Sequence, residues 1–108
     1  MTRLLLTRHS HAEGINPARF RGRAGLALTP AGIAQAEALA QYIARQWKPV
    51  AVYTSGLQRG VVTGAKIGVA CGAPGSVIDA LMDFDYGAWQ MRAHDEVKVG
   101  APDAFRLW

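Results

Sequence analysis

The chain has a single cysteine, Cys71, among its 108 residues. One thiol excludes an internal disulfide framework. Long apolar runs are also missing, and none approaches the roughly 20 residues that a bilayer span requires. The apolar stretch nearest the N-terminus, Leu4-Leu5-Leu6, ends at once in Thr7-Arg8-His9. It is too short for the apolar region of a signal peptide. A cytoplasmic protein with no membrane partner is therefore expected. There is no low-complexity block and no internal repeat. About half of the residues are apolar, which excludes a disordered tail and supplies a core for one domain.

Acidic residues are scarce in the first part of the chain, where Glu13 and Glu37 are the only two before residue 67. Residues 1–66 carry a net +7 and residues 67–108 a net −3. The first part favours an anion: a phosphate ester, a nucleic acid or an acidic surface.

The pattern of elements is α/β. Leu4-Leu5-Leu6 reads as a buried strand of a parallel sheet. Residues 7–27 read as a long loop, rich in Gly and Arg. Thr29 is a good N-cap and Pro30 fits the first helical position. Ile33, Ala36, Ala40, Ile43 and Trp47 then recur at helical spacing, and Pro49 ends the helix. Residues 50–53 read as a second strand, with Thr54-Ser55 as turn and cap. A second helix is predicted from Leu57 to about Val69. Gly60, Gly64 and Gly68 weaken it intrinsically but permit close packing on the sheet. Residues 72–75 read as a turn, 76–78 as a third strand, 79–87 as a loop, and a helix start is read near Pro102. A mostly parallel sheet with flanking helices follows from this alternation. It brings the segments after the first two strands to one edge, where ligands bind.

That edge would hold Arg8, His9 and Arg59. Two guanidinium forks can grip the non-bridging oxygens of a phosphoryl group. A neutral imidazole between them can attack phosphorus. A carboxylic acid must then protonate the leaving oxygen, and Asp83 and Asp85 are the local choices. Blander readings exist for each: loop polarity for Arg8-His9, a solvated helix face for Arg59, an edge strand for the Asp83–Tyr86 alternation. The Arg19, Arg21, Arg23 series, with Phe20 interleaved, is compatible with a nucleic-acid patch but carries no recognised nucleic-acid motif.

Five motifs stand in order along the chain. They are Leu4–Ser10, Arg19-Phe20-Arg21-Gly22, Leu28–Ala36, Thr54–Thr63 and Leu81–Trp89. Together they resemble the histidine phosphatase superfamily, also called phosphoglycerate-mutase-like. The resemblance implies that His9 is the phospho-accepting nucleophile, that Arg8 and Arg59 clamp phosphate, and that Asp83 stands where a proton-donating Glu is usual. It places Arg21, Gly22 and Tyr86 along the substrate pocket. Asn16 stands in for an Asn whose place is held by Ile15. Ser10 replaces a Gly after the nucleophile, and its hydroxyl is a further candidate for contact with phosphate. No metal or cofactor is implied. The expected partner is a small phosphorylated substrate, not nucleic acid.

Three departures matter. Ser10 would be strained if the backbone there had positive φ. Asp83 is one methylene shorter than Glu. The second catalytic His of the family, in a Ser/Gly-His-Gly segment, has no counterpart, and His11 and His94 both read as satisfied surface histidines. Residues 1–108 are thus expected to form the N-terminal portion of a single domain that exposes a strand edge and can form a homodimer. Two functions follow: a phosphatase or mutase acting through phosphohistidine, or a degenerate relative that binds a phospho-ligand without turnover.

Overall fold

The computed structural model of the chain describes all 108 residues. The first regular element is a helix, α1, over Pro30–Gln46. Its start is chemically defined: the Thr29 side chain accepts a hydrogen bond from the Gly32 amide, and Pro30 occupies the first turn. Ala36, Ala40 and Ile43 are buried as the spacing predicts. Ile33 and Trp47, placed on the same face by the sequence, are 40% and 51% exposed. They mark the two ends of the stripe. The helix stops at Gln46, before Pro49, and Lys48 adopts positive φ.

Strand β1 spans Val52–Thr54, helix α2 spans Gln58–Cys71 and strand β2 spans Gly75–Val77. The strands pair in parallel, Val52 opposite Gly75 and Thr54 opposite Val77. This is a right-sized β-α-β unit, shifted by one or two residues from the boundaries predicted at 50–53 and 76–78. Helix α2 begins one residue late, with Leu57 outside it as the N-cap and no side-chain cap bond. Ser55 still serves the turn, since its Oγ accepts from the Leu57 amide. Gly72 closes α2 in the left-handed conformation. Gly64 explains the glycine spacing. A Cβ there would collide with the Thr54 methyl, so the missing side chain lets α2 lie close on β1.

Two small clusters hold the unit together. Ala12, Leu28 and Ala36 form one, joined by Val62. Ala40, Ile43 and Ile67 form the other, with Leu39, Val52 and Ala70 around them.

Residues 4–6 are not a strand. They run without ladder partners, with Leu4 85% and Leu6 91% exposed. A buried strand needs neighbours on its edges and cover on its faces, and the two-stranded sheet offers neither. The predicted loop at 79–87 contains a short 3-10 turn over Asp79–Leu81, and a second covers Gly87–Trp89. Helix α3, His94–Gly100, was not foreseen, while α4, Pro102–Leu107, begins where predicted. The Glu96 carboxylate accepts from the Ala93 amide and fixes the start of α3. No helix is long and apolar enough to cross a membrane.

Candidate active site

The loop from Thr7 to Ala27 wraps back onto the β-α-β unit and forms one wall of an open cavity of about 400 Å³. Arg8, His9, Arg21, Gly22, Arg59, Asp83 and Tyr86 all line it. Seven of the ten residues singled out in the sequence thus meet at one place. Ser10 lines a smaller adjoining cavity of about 300 Å³, which also borders Arg8, His9 and Arg21. Asn16 is exposed, ahead of Pro17, and lines neither cavity.

His9 is oriented by its neighbour. Its Nδ1 lies 2.7 Å from the Ser10 carbonyl oxygen. A carbonyl only accepts, so Nδ1 carries the proton and Nε2 keeps its lone pair. Burial lowers the proton affinity of His9 below its ordinary value of 6.5, and Arg59, Arg21 and Arg8 lower it further. The Ser10 carbonyl opposes this shift without reversing it. The result is a neutral imidazole among cations, which is the state a nucleophile needs.

Both helices hold the segment that carries His9. From α2, the Thr63 hydroxyl accepts from the Ser10 amide at 3.2 Å and donates to the Arg59 carbonyl at 2.8 Å. From α1, Gln35 Oε1 accepts from the His11 amide at 3.0 Å. The His11 carbonyl accepts from the Thr29 amide and sits where a Cβ of Gly32 would fall. The Leu28–Ala36 and Thr54–Thr63 motifs therefore position His9 as well as build helices. Thr63, Gln35 and Gly32 carry this role, and their place inside those motifs was the available signal. Ser10 does not have positive φ, so no strain arises there.

Arg59 is 2% exposed, far from the solvated-face alternative. Its Nη1 donates to the Ala24 carbonyl and its Nη2 to the Gly22 carbonyl. Nη2 also pairs with Asp83 Oδ2 at 3.2 Å. Asp83 Oδ1 accepts from the Phe84 amide. Gly22 has φ +40, and a Cβ there would strike the Phe84 carbonyl, Gln90 and Tyr86. Gln90 supports the same loop, donating from Nε2 to the Arg21 carbonyl. Nothing in the sequence marks Gln90 for this. Asp85, the alternative acid, binds the Gly87 amide and does not line the cavity.

His94 corrects the surface reading given above. It is partly buried, lines the cavity and packs 4.3 Å from the Phe20 ring and 5.1 Å from Trp108. The cause is the pairing of Arg19 with Ala93, and the bond from the His94 amide to the Ala18 carbonyl, which draw α3 against the loop. His11 is exposed, with Nδ1 2.8 Å from Thr29 Oγ1, a satisfied surface His as expected.

The profile of the histidine phosphatase superfamily (branch 1) matches residues 4–108. The chain belongs to the histidine phosphatase superfamily. Among its relatives is the bifunctional protein Rv2228c of Mycobacterium tuberculosis, 36% identical over 107 residues, or 99% of this chain and 29% of that protein. Phosphoserine phosphatase 1 of Hydrogenobacter thermophilus is 32% identical over 108 residues, covering all of this chain and 51% of the relative. A mycobacterial glucosyl-3-phosphoglycerate phosphatase, solved with inorganic phosphate, superposes with TM-score 0.81 at 28% identity, over 94% of this chain and 46% of that one. The chain therefore spans about half the length, or less, of these superfamily members. Their α/β architecture with a parallel sheet is the one described here.

Proposed function

We propose that this chain binds a small phosphorylated substrate and transfers its phosphoryl group to His9, as a phosphoric monoester hydrolase. The observation that carries the reading is the imidazole itself. It is held neutral, with Nδ1 on the Ser10 carbonyl, in a cavity walled by Arg8, Arg21 and Arg59. His9 Nε2 attacks phosphorus as the bond to the ester oxygen breaks. Arg8 and Arg59 hold the charge on the non-bridging oxygens. The freed Asp83 carboxylate takes up the proton that the monoanionic ester carries in and passes it to the leaving oxygen, and then takes a proton from the water that cleaves the phosphorus–nitrogen bond. Inorganic phosphate leaves and His9 is restored. Hydrolysis is preferred to mutase chemistry because the relatives carry phosphatase names.

The Arg59–Asp83 pair gives this scheme a first step. Phosphoryl oxygen competes with Asp83 for Arg59, so substrate entry frees the carboxyl group to face the leaving oxygen. The same pair favours a second reading. Asp83 is short and held at both oxygens, which suits a phospho-ligand binder without turnover.

One experiment separates the two. The chain and a His9→Ala variant are incubated with p-nitrophenyl phosphate, and acid-labile phosphohistidine is sought by 31P NMR. Hydrolysis and labelling lost together in His9→Ala support the first reading. Phosphate binding without either supports the second. Equal hydrolysis by both proteins rejects His9 as the nucleophile.

A further inference from the structure

The arginines of the Arg19, Arg21, Arg23 series meet different fates. Arg19 Nη1 donates to the Met91 carbonyl at 3.0 Å, and Arg23 Nε donates to the Asp83 carbonyl at 2.8 Å. Both are spent on holding the loop. Arg21 lies between them and borders both cavities. Its Nη1 is buried and has no hydrogen-bond partner. A buried cationic N–H without an acceptor is costly, and such a group in a native fold calls for an explanation.

The backbone at Arg21 is fixed independently of its side chain. Gln90 holds the Arg21 carbonyl and Arg59 holds the Gly22 carbonyl. The guanidinium is thus carried on a rigid loop, ready to meet a ligand. The cavity it faces is shared with His9, Arg8 and Arg59. Arg59 already divides its two terminal nitrogens among two carbonyls and Asp83. A phosphoryl group has three non-bridging oxygens, and Arg8 with a committed Arg59 leaves one without a full partner.

We propose that Arg21 is the third phosphoryl-binding guanidinium, and that its unpartnered Nη1 turns onto the oxygen that Arg8 and Arg59 leave unserved. This rests on the phosphatase reading above. Burial and the charges of Arg59 and Arg8 already press against the Arg21 cation, with Asp83 alone relieving it. A dianion entering the cavity removes that repulsion as it supplies the missing acceptor.

The test is a calorimetric titration of the chain with inorganic phosphate, alongside thermal unfolding without phosphate. Arg21→Gln should weaken phosphate by about ten-fold or more, the effect of losing one charge-assisted contact. Arg21→Lys keeps the charge and loses the fork, and should fall between the two. Phosphate affinity within about two-fold of wild type in folded Arg21→Gln overturns the proposal. If Arg21→Gln does not fold, Arg21→Lys decides: a measurable loss supports the role and an unchanged affinity overturns it. Arg59→Gln separates this idea from the reading beneath it. Binding lost in Arg59→Gln but kept in Arg21→Gln removes the Arg21 role and leaves the clamp. Absence of phosphate binding by the wild-type chain removes both.

Discussion

His9 is drawn towards its neutral form by burial and by Arg59, Arg21 and Arg8, and towards its charged form by the Ser10 carbonyl. Asp83 is the acid lining the same cavity. The sum is a lowered pKa, so the folded chain takes up the His9 proton at lower pH than the unfolded chain does. Stability therefore declines as pH falls below 6.5, and this contribution levels off once the folded-state value is passed. The neutral imidazole that the proposed attack requires is present at neutral pH and is lost on the acidic side of the lowered value. NMR titration of the His9 ring checks this directly. Arg21→Gln and Arg8→Gln should each raise its pKa, because each removes a repelling cation. A His9 titration unmoved by either change would leave burial, the Ser10 carbonyl and Arg59 to set the value. Thr63 is a second test at this scale. Thr63→Val strips the Ser10 amide of its acceptor and leaves the hydroxyl's work undone in a buried place. The expected loss of stability is about 1–3 kcal/mol by denaturant unfolding, and Thr63→Ser should recover most of it. The grouping of Arg8, His9, Arg59 and Asp83 around one cavity was legible because these side chains stand at fixed offsets within the five motifs. The supports were not, since Gln90 acts through a backbone carbonyl 69 residues away in sequence.

Two glycines separate the roles of the helices. Gly64 admits β1 against α2, and Gly32 admits the His11 carbonyl against α1. Alanine at either site improves intrinsic helix propensity by about 1 kcal/mol. Gly64→Ala should nonetheless destabilise by about 1–3 kcal/mol, because the added methyl meets packed atoms rather than space. Phosphate affinity should remain near wild type, since Gly64 touches no part of the cavity. Gly32→Ala should show the reverse emphasis: the methyl displaces the segment that carries His9, and phosphate affinity falls. Titration and unfolding of both variants check the contrast. Equal effects on binding would show that α1 does not set the position of His9. These two helices were readable because each has a local chemical terminus, Thr29-Pro30 for one and Gly72 for the other. Helix α3 has seven residues and one buried side chain, Val97. No period can be established in so few positions, and α3 owes its place to the loop segment around Ala18 and Arg19.

The molecule as a whole is looser than its length suggests. Its radius of gyration is 16.0 Å, against about 13 Å for a compact domain of this size. Sixteen of 108 residues are buried, too few to satisfy the apolar half of the sequence. Leu4, Leu6, Val50 and Val77 are all more than half exposed. Residues 4–6 illustrate why the sequence misled at this point. Their composition states what they bury when covered, and a two-stranded sheet has nothing to cover them with.

Exposed apolar segments of this kind and an open parallel edge promote pairing with another chain. We therefore expect self-association, with residues 4–6 contributing an added strand or an apolar contact. Sedimentation velocity should show a weight-average mass that rises with protein concentration. Leu4→Lys combined with Leu6→Lys should shift association to higher concentration, because two charges must then be buried or kept apart. Phosphate affinity should change little, since neither side chain lines either cavity. A wild-type chain that stays monomeric throughout would rule out the homodimer. Association unaffected by the double substitution would move the contact from residues 4–6 to the exposed side chains of β1 and β2, Tyr53 and Val77, where the same lysine test applies.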